Sequence, residues 1–153
     1  NFLCYFIGGP SGKSGNEYLE ELKQNVQDLN LESHIEFLDN LPQTEIRNLL
    51  NKSKLLIHTS KFETFGLVAA EANAMGVPVL TTNSGSMLEI VESNENGYYS
   101  ESLIDGNVNN FVKELLNNKD KFNEIMLNCF EKSKYYSWAN TATEIENLYK
   151  DFA

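Results

Sequence analysis

Two carboxylates, Glu63 and Glu71, stand eight positions apart in the run Thr59-Ser60-Lys61-Phe62-Glu63-Thr64-Phe65-Gly66-Leu67-Val68-Ala69-Ala70-Glu71-Ala72-Asn73-Ala74-Met75-Gly76-Val77-Pro78-Val79. The run reads as a strand end, a loop and a helix that opens near Phe65-Gly66. Gly76 suits a left-handed position at the end of that helix, and Pro78 forbids an immediate restart. Glu63 is therefore expected just ahead of the helix, where the backbone N–H groups of Phe65, Gly66 and Leu67 lack helical partners and point outward. Gly66 has no side chain to keep a ligand off that surface, and the helix dipole favours an anion there. Glu71 falls about one and a half turns further in. One carboxylate beside an anion site and a second along the same helix suit a molecule with phosphates and several hydroxyls. A sugar nucleotide has that chemistry.

The elements that position this run alternate between strand and helix. Leu3 to Ile7 is a continuous apolar stretch ending at Gly8-Gly9-Pro10, which predicts a strand buried on both faces. Tyr18, Leu22, Val26 and Leu29 recur at helical spacing, and Ile35 and Phe37 alternate with polar neighbours in a short strand. Pro42 opens a helix through Ile46, Leu49 and Leu50, and Leu55 to His58 forms the next strand. After the Glu63–Glu71 helix come a strand at Val79-Leu80-Thr81 and a short helix near Leu88–Glu92. Residues 107–117, 121–134 and 141–152 read as closing helices. Such alternation calls for a doubly wound, Rossmann-like α/β fold, a parallel sheet with right-handed crossovers flanked by helices.

Composition narrows the function. The chain has 153 residues, 41% of them hydrophobic, enough for one globular domain with a real core. No apolar run approaches the roughly 20 residues of a membrane helix, and Asn1 to Ile7 lacks the basic leader and cleavage site of a signal peptide. Cys4 and Cys129 show no metal spacing and are read as core thiols of a reducing compartment. A net charge of −10 argues against nucleic acid, whose binding rests on phosphate neutralisation. The same charge opposes a diphosphate entering a site that already holds Glu63 and Glu71. A helix N-terminus offsets only ~0.3–1 kcal/mol per exposed interaction, so a clamp of Arg or Lys is the usual remedy. The one arginine, Arg47, lies in an amphipathic helical pattern away from the run.

Other features have plainer readings. Gly8-Gly9-Pro10-Ser11-Gly12-Lys13-Ser14 resembles a P-loop, but the position five residues before Gly12 is Ile7, so the motif fails. It is read as a flexible strand-to-helix connection at the rim of a cleft. His58 ends a strand beside the site and is read as structural rather than catalytic; His34 is read as a solvent-side residue without partners. Glu89 is either a charge on the dipole of a short helix or a ligand contact. Glu92, Glu95 and Glu101 form a solvated acidic face, and Phe62, Phe65, Tyr98 and Tyr99 are read as packing residues.

The Glu63–Glu71 run resembles the donor-site signature of retaining family 4 glycosyltransferases of the GT-B fold, the glycosyl transferases group 1, in their C-terminal nucleotide-binding domain. Ser60, Glu63, Phe65, Gly66, Glu71, Ala72, Ala74, Gly76, Pro78 and Val79 all fall in register with that signature. Thr59 replaces the family's proline at the loop entry. The family's Gly-Gly-x-x-Glu-Ile-Val stands here as Gly85-Ser86-Met87-Leu88-Glu89-Ile90-Val91, with Ser86 for one glycine. The Asn96-Gly97 turn and Ser137-Trp138 also match, so the resemblance covers the chain from about Leu3 to Phe152.

The resemblance implies that residues 1–153 are a nucleotide-sugar-binding domain of a larger enzyme, lacking its first strand-helix unit and an N-terminal acceptor domain. It implies that Glu63 contacts the transferred sugar as the catalytic carboxylate, and that Glu71 grips the ribose. Ser60, Thr64, Phe65, Gly66 and Leu67 would then hold phosphate or sugar oxygens, and the loop at Leu38, Asp39 and Asn40 would face the base. The donor would be a nucleotide-diphosphate sugar, with no metal and no other cofactor. A basic pair upstream of residue 1 would neutralise the diphosphate, so this chain alone is expected to bind donor weakly and transfer nothing. The acceptor, a glycan, lipid or small molecule, would sit on the missing domain. The location would be cytoplasmic, with peripheral association at the inner membrane face open to the whole protein. The alternative is a non-catalytic nucleotide-sugar-binding or interaction module on the same fold, which has no reason to hold both Glu63 and Glu71.

Overall fold

A computed structural model describes residues 2–152 of the chain. It divides into two compact units, 1–46 and 47–153, and the boundary falls inside the second helix.

In the first unit, β1 (Cys4–Ile7) pairs in parallel with β2 (Ile35–Leu38), with Cys4 opposite Ile35 and Ile7 opposite Leu38. Between them runs α1 (Gly15–Asp28). Its half-buried residues Gly15, Leu19, Leu22, Lys23 and Val26 include Leu22 and Val26 of the expected series, whereas Tyr18 and Leu29 are exposed. The strand expected to be buried on both faces is not. Among the described residues β1 pairs only with β2, and Tyr5, Phe6 and Ile7 are exposed. An apolar run identifies a strand, but burial also requires neighbours on both faces. His34 is not partnerless. Its Nδ1 donates to the Phe2 carbonyl at 3.0 Å, and its ring stacks on Phe2. The Gly8–Ser14 segment connects β1 to α1, and its Gly9 N–H donates to Asn40 Oδ1 at 3.2 Å.

The helix α2 (Gln43–Leu50) begins on the Pro42 carbonyl, which accepts from Glu45 and Ile46. The second unit then holds β3 (Leu56–His58), α3 (Leu67–Ala74), β4 (Val79–Thr82), α4 (Met87–Ile90) and β5 (Gly97–Ser100). The helices α5 (Gly106–Asn117), α6 (Lys119–Tyr135) and α7 (Trp138–Asp151) follow. The three strands form one parallel sheet in the order β3-β4-β5. All the ladders are parallel and the strands alternate with helices, as a doubly wound α/β fold requires. The sequence reading missed β5. Asn96 lies in the expected turn, but Gly97 already begins the strand. Tyr98 does pack, stacked on Phe111 at 5.1 Å, but from within a strand.

The core of this unit is built from small and aliphatic faces. Val79 and Leu80 of β4 are buried, as are Met87, Ile90 and Val91 in and just after α4, and Phe111, Leu115, Ile125 and Cys129 join α5 to α6. Burial pushes the Cys129 thiol up to about 12, and both cysteines are free. The helix α3 buries Ala69, Ala72 and Asn73. It ends as expected at Gly76 (φ +70°). There Gly76 N–H bonds to the Asn73 carbonyl and Val77 N–H to that of Ala72, the paired closure of a Schellman motif. The helices α5 and α6 are capped by Asp105 and Asn118, each accepting two amide N–H groups.

Gly97 of β5 sits opposite Val79 of β4. A Cβ there would lie 2.1 Å from the Val79 carbonyl oxygen, so any side chain must spread β4 from β5. The Gly97→Ala variant is expected to lose ~1–3 kcal/mol of stability or more. The denaturant midpoint should fall at an unchanged slope; an unshifted midpoint would show that the strands accept a Cβ there.

Candidate functional site

Parallel pairing places His58 at the end of β3 beside Thr81 near the end of β4. The segments that follow these strands therefore leave the sheet at the same edge, its carboxyl end, where open α/β sheets bind ligands. The first segment carries Ser60 to Gly66; the second carries Asn83 to Ser86.

Glu63 dominates the first segment. Its Oε1 accepts the Thr64 N–H at 2.9 Å and the Phe65 N–H at 3.3 Å. Its Oε2 lies 3.4 Å from His58 Nε2. The other ring nitrogen of His58, Nδ1, is buried without a bonding partner. The Phe65 N–H above all holds the Glu63 carboxyl below the usual carboxylate range, against an upward push from desolvation. The Thr64 and Gly66 N–H groups and His58 add to the lowering.

The helix opens one to two residues later than expected. Gly66 is its N-cap, in the left-handed region at φ +88°, and Leu67 is the first helical residue. A Cβ at Gly66 would meet Met87 Sδ at 2.8 Å, so this position requires glycine for both conformation and space. The expectation that the Phe65 N–H stands open is corrected, because Glu63 turns back and fills it. The Leu67 and Val68 N–H groups, at the first two helical positions, have no helical acceptor. Glu71 is half-buried in α3, one turn beyond Leu67 and on the same side by helical periodicity.

Ser60 holds the loop rather than projecting from it. Its hydroxyl donates to the Phe62 carbonyl at 2.8 Å, and its own carbonyl accepts from Thr82 Oγ1 at 2.6 Å and Ser84 Oγ at 2.9 Å. Phe65 meets Tyr136 edge to face, whereas Phe62 is almost fully exposed and packs on nothing. Glu89 is exposed in α4, and its carbonyl accepts from Tyr136 Oη at 2.8 Å. The structure thus gathers Ser60, Glu63, Thr64, Phe65, Gly66 and Leu67 into one turn followed by Glu71. Leu38 and Asp39 belong to the other compact unit: Leu38 ends β2 and Asp39 is exposed just beyond it. Sequence reasoning missed the His58–Glu63 contact and the roles of Thr82 and Ser84. The available signal was the hydroxyl-rich Thr81-Thr82-Asn83-Ser84 run at the carboxyl end of a strand.

Among the described residues no group of three or more His, Cys, Asp or Glu side chains is placed to hold a metal ion. Among the same residues no helix is long and apolar enough to cross a membrane. A depression of about 280 Å³ is lined by Lys54, Leu115, Lys119 and Phe122 among others, and contains none of the site residues.

The family model described as "Glycosyl transferases group 1" matches residues 1–131. The chain belongs to the glycosyl transferases group 1 family. Among curated members of the family, a D-inositol 3-phosphate glycosyltransferase of Corynebacterium glutamicum is 29% identical over 99% of this chain and 36% of its own length. A GDP-Man:Man(3)GlcNAc(2)-PP-Dol alpha-1,2-mannosyltransferase of Dictyostelium discoideum is 24% identical over 94% of this chain and 28% of its own length. The chain thus spans about a third of the length of such relatives. Among solved structures, Anabaena HepE in complex with UDP and glucose superposes with a TM-score of 0.84 at 24% identity, covering 97% of this chain and 40% of that one. That likeness shows the fold, the GT-B type of the family.

The lowered Glu63 pKa has a pH signature. A folded-state value below the unfolded one means that the carboxylate's contribution to stability is complete above the unfolded carboxyl pKa, about 4.3. It is lost as pH falls through the depressed folded value. Wild type should therefore melt above Glu63→Gln at neutral pH, with the gap closing below about pH 4. A gap that persists unchanged into acid would show that the Glu63 charge is not what the amides stabilise.

Proposed function

We propose that the protein is a retaining glycosyltransferase that moves a hexose-type sugar from a nucleotide-diphosphate sugar to an acceptor, and that this chain supplies the donor site. One observation carries the reading: an ionised Glu63 stands at the head of α3, at the carboxyl edge of a parallel sheet, within the stretch matched by the family. Glycosyl transfer passes through a cationic, oxocarbenium-like sugar, which a fixed carboxylate stabilises. The diphosphate gains charge as it leaves, and amide N–H groups at a helix start absorb that charge without reorganising. In this reading Oε1 of Glu63 stays on the loop amides while Oε2 faces the sugar. The Leu67 and Val68 amides take phosphate oxygens, with Gly66 leaving room for their approach, and Glu71 binds the ribose hydroxyls. The reading uses no metal.

The relatives' names support this substrate class: one is a D-inositol 3-phosphate glycosyltransferase, and Anabaena HepE is known in complex with UDP-glucose. The acceptor, a glycan, lipid or small molecule, is assigned to a domain outside these residues, and the cytoplasm is the compartment that would supply the donor.

The test begins with a thermal-shift panel of UDP-, GDP- and ADP-sugars on the complete protein. The true donor should raise the melting temperature with concentration as mass action requires. With that donor, Glu63→Gln should cut the transfer rate by about 10²-fold or more. Glu71→Ala should weaken donor binding, read by calorimetric titration of the donor against wild type and variant. Transfer should survive exhaustive chelation. No shift from any nucleotide sugar, or full activity in Glu63→Gln, would overturn the reading.

A further inference from the structure

A carboxylate that stabilises a reacting centre must be held to a fraction of an ångström, and Glu63 sits on a loop with little apolar anchorage. Lys61 and Phe62 are exposed, so packing does not fix the loop between Ser60 and Glu63. Polar contacts from the segment after β4 do. The Ser60 carbonyl accepts both the Thr82 hydroxyl at 2.6 Å and the Ser84 hydroxyl at 2.9 Å, which occupies its two lone pairs. The two hydroxyl oxygens are 3.3 Å apart, and Ser84 is buried, its N–H bonded to the Thr82 carbonyl at 2.9 Å. One residue on, Gly85 packs so close that a Cβ would lie 2.3 Å from the Glu63 carbonyl oxygen. Residues 82–85 thus grip both ends of the loop, at Ser60 and at Glu63.

We infer that Thr82 and Ser84 are positioning residues for Glu63, their shared hold on the Ser60 carbonyl fixing the loop that aims its carboxylate. The inference rests on the transferase reading for its catalytic consequence, but the geometry it asserts can be measured without activity. Because both hydroxyls serve one acceptor, each single loss is partly covered by the other, and the two together should exceed the sum of the singles. A misplacement of about 1 Å costs up to 10²-fold in rate with little effect on ground-state binding.

The experiment compares Thr82→Val, Ser84→Ala, the double variant and the hydroxyl-retaining Thr82→Ser and Ser84→Thr, all in the complete protein. The double variant should lose at least tenfold in kcat with donor KM within about threefold, and the hydroxyl-retaining variants should stay near wild type. In protein selectively 15N-labelled at histidine, the His58 ring signals of the double variant should move toward those of Glu63→Ala, which marks the loss of the His58–Glu63 contact. Should the double variant fail to fold, Ser84→Ala against Ser84→Thr carries the same comparison. If wild type transfers no sugar, the transferase reading fails and the His58 signals alone decide the positioning claim. Wild-type His58 signals and kcat in the double variant would overturn it. So would equal losses in the Ala and Thr variants at Ser84.

Discussion

The carboxylate of Glu63 turns back onto the amides that follow it, and the turn between β3 and α3 is organised around that contact. Ahead of the helix, Thr64 and Phe65 donate to Oε1; behind it, His58 at the end of β3 meets Oε2. The ion is thus tied both to the strand it leaves and to the helix it precedes. Gly66 can then enter the left-handed region and start the helix beneath Met87. A larger residue would have to move either α4 or the loop. The charge, the turn and the helix start are one structure, which is why the same residues that shape the fold also define the candidate site.

This arrangement alters the simplest picture of an anion site. A helix N-terminus with open amides would attract a phosphate by itself, but here the protein places its own anion on the first of them. What remains for a ligand is the Leu67–Val68 edge of the helix start and a carboxylate already ionised by its amide partners. A group that develops positive charge fits beside Glu63, and a group that develops negative charge fits further along. Glycosyl transfer separates charge in that sense, with the sugar becoming cationic as the diphosphate becomes more anionic. With a net charge of −10 on the chain, the bulk electrostatic field does not draw such a donor in. The proposed binding would rest on local dipoles and on whatever cations accompany them.

Much of this is legible in the sequence. Gly76 and Pro78 announced the end of α3, and the Schellman closure is formed there. The alternation of apolar strands with helical periods announced the parallel pairing, though the strands form two sheets rather than one. The spacing of Glu63, Gly66 and Glu71 announced the turn. Three things were not legible, each for a physical reason. An apolar run such as Cys4–Ile7 reveals propensity but not which neighbours cover it, so its exposure was unforeseen. A four-residue strand such as Gly97–Ser100 is too short for periodicity and begins at a glycine needed for close backbone approach, which reads as a turn. The hold of Thr82 and Ser84 on Ser60 spans more than twenty residues of chain. Hydroxyl contacts of that kind follow from register between parallel strands, which no local pattern encodes.

The central claim is that the donor binds over the β3–α3 turn, sugar toward Glu63 and diphosphate toward the start of α3. A crystal structure of the complete protein with its nucleotide-diphosphate sugar measures this directly. The account predicts sugar hydroxyls on Glu63 Oε2, phosphate oxygens on the Leu67 and Val68 amides, and Oε1 still on Thr64 and Phe65. A diphosphate bound more than a side chain's length from Phe65, Gly66 and Leu67 would contradict it.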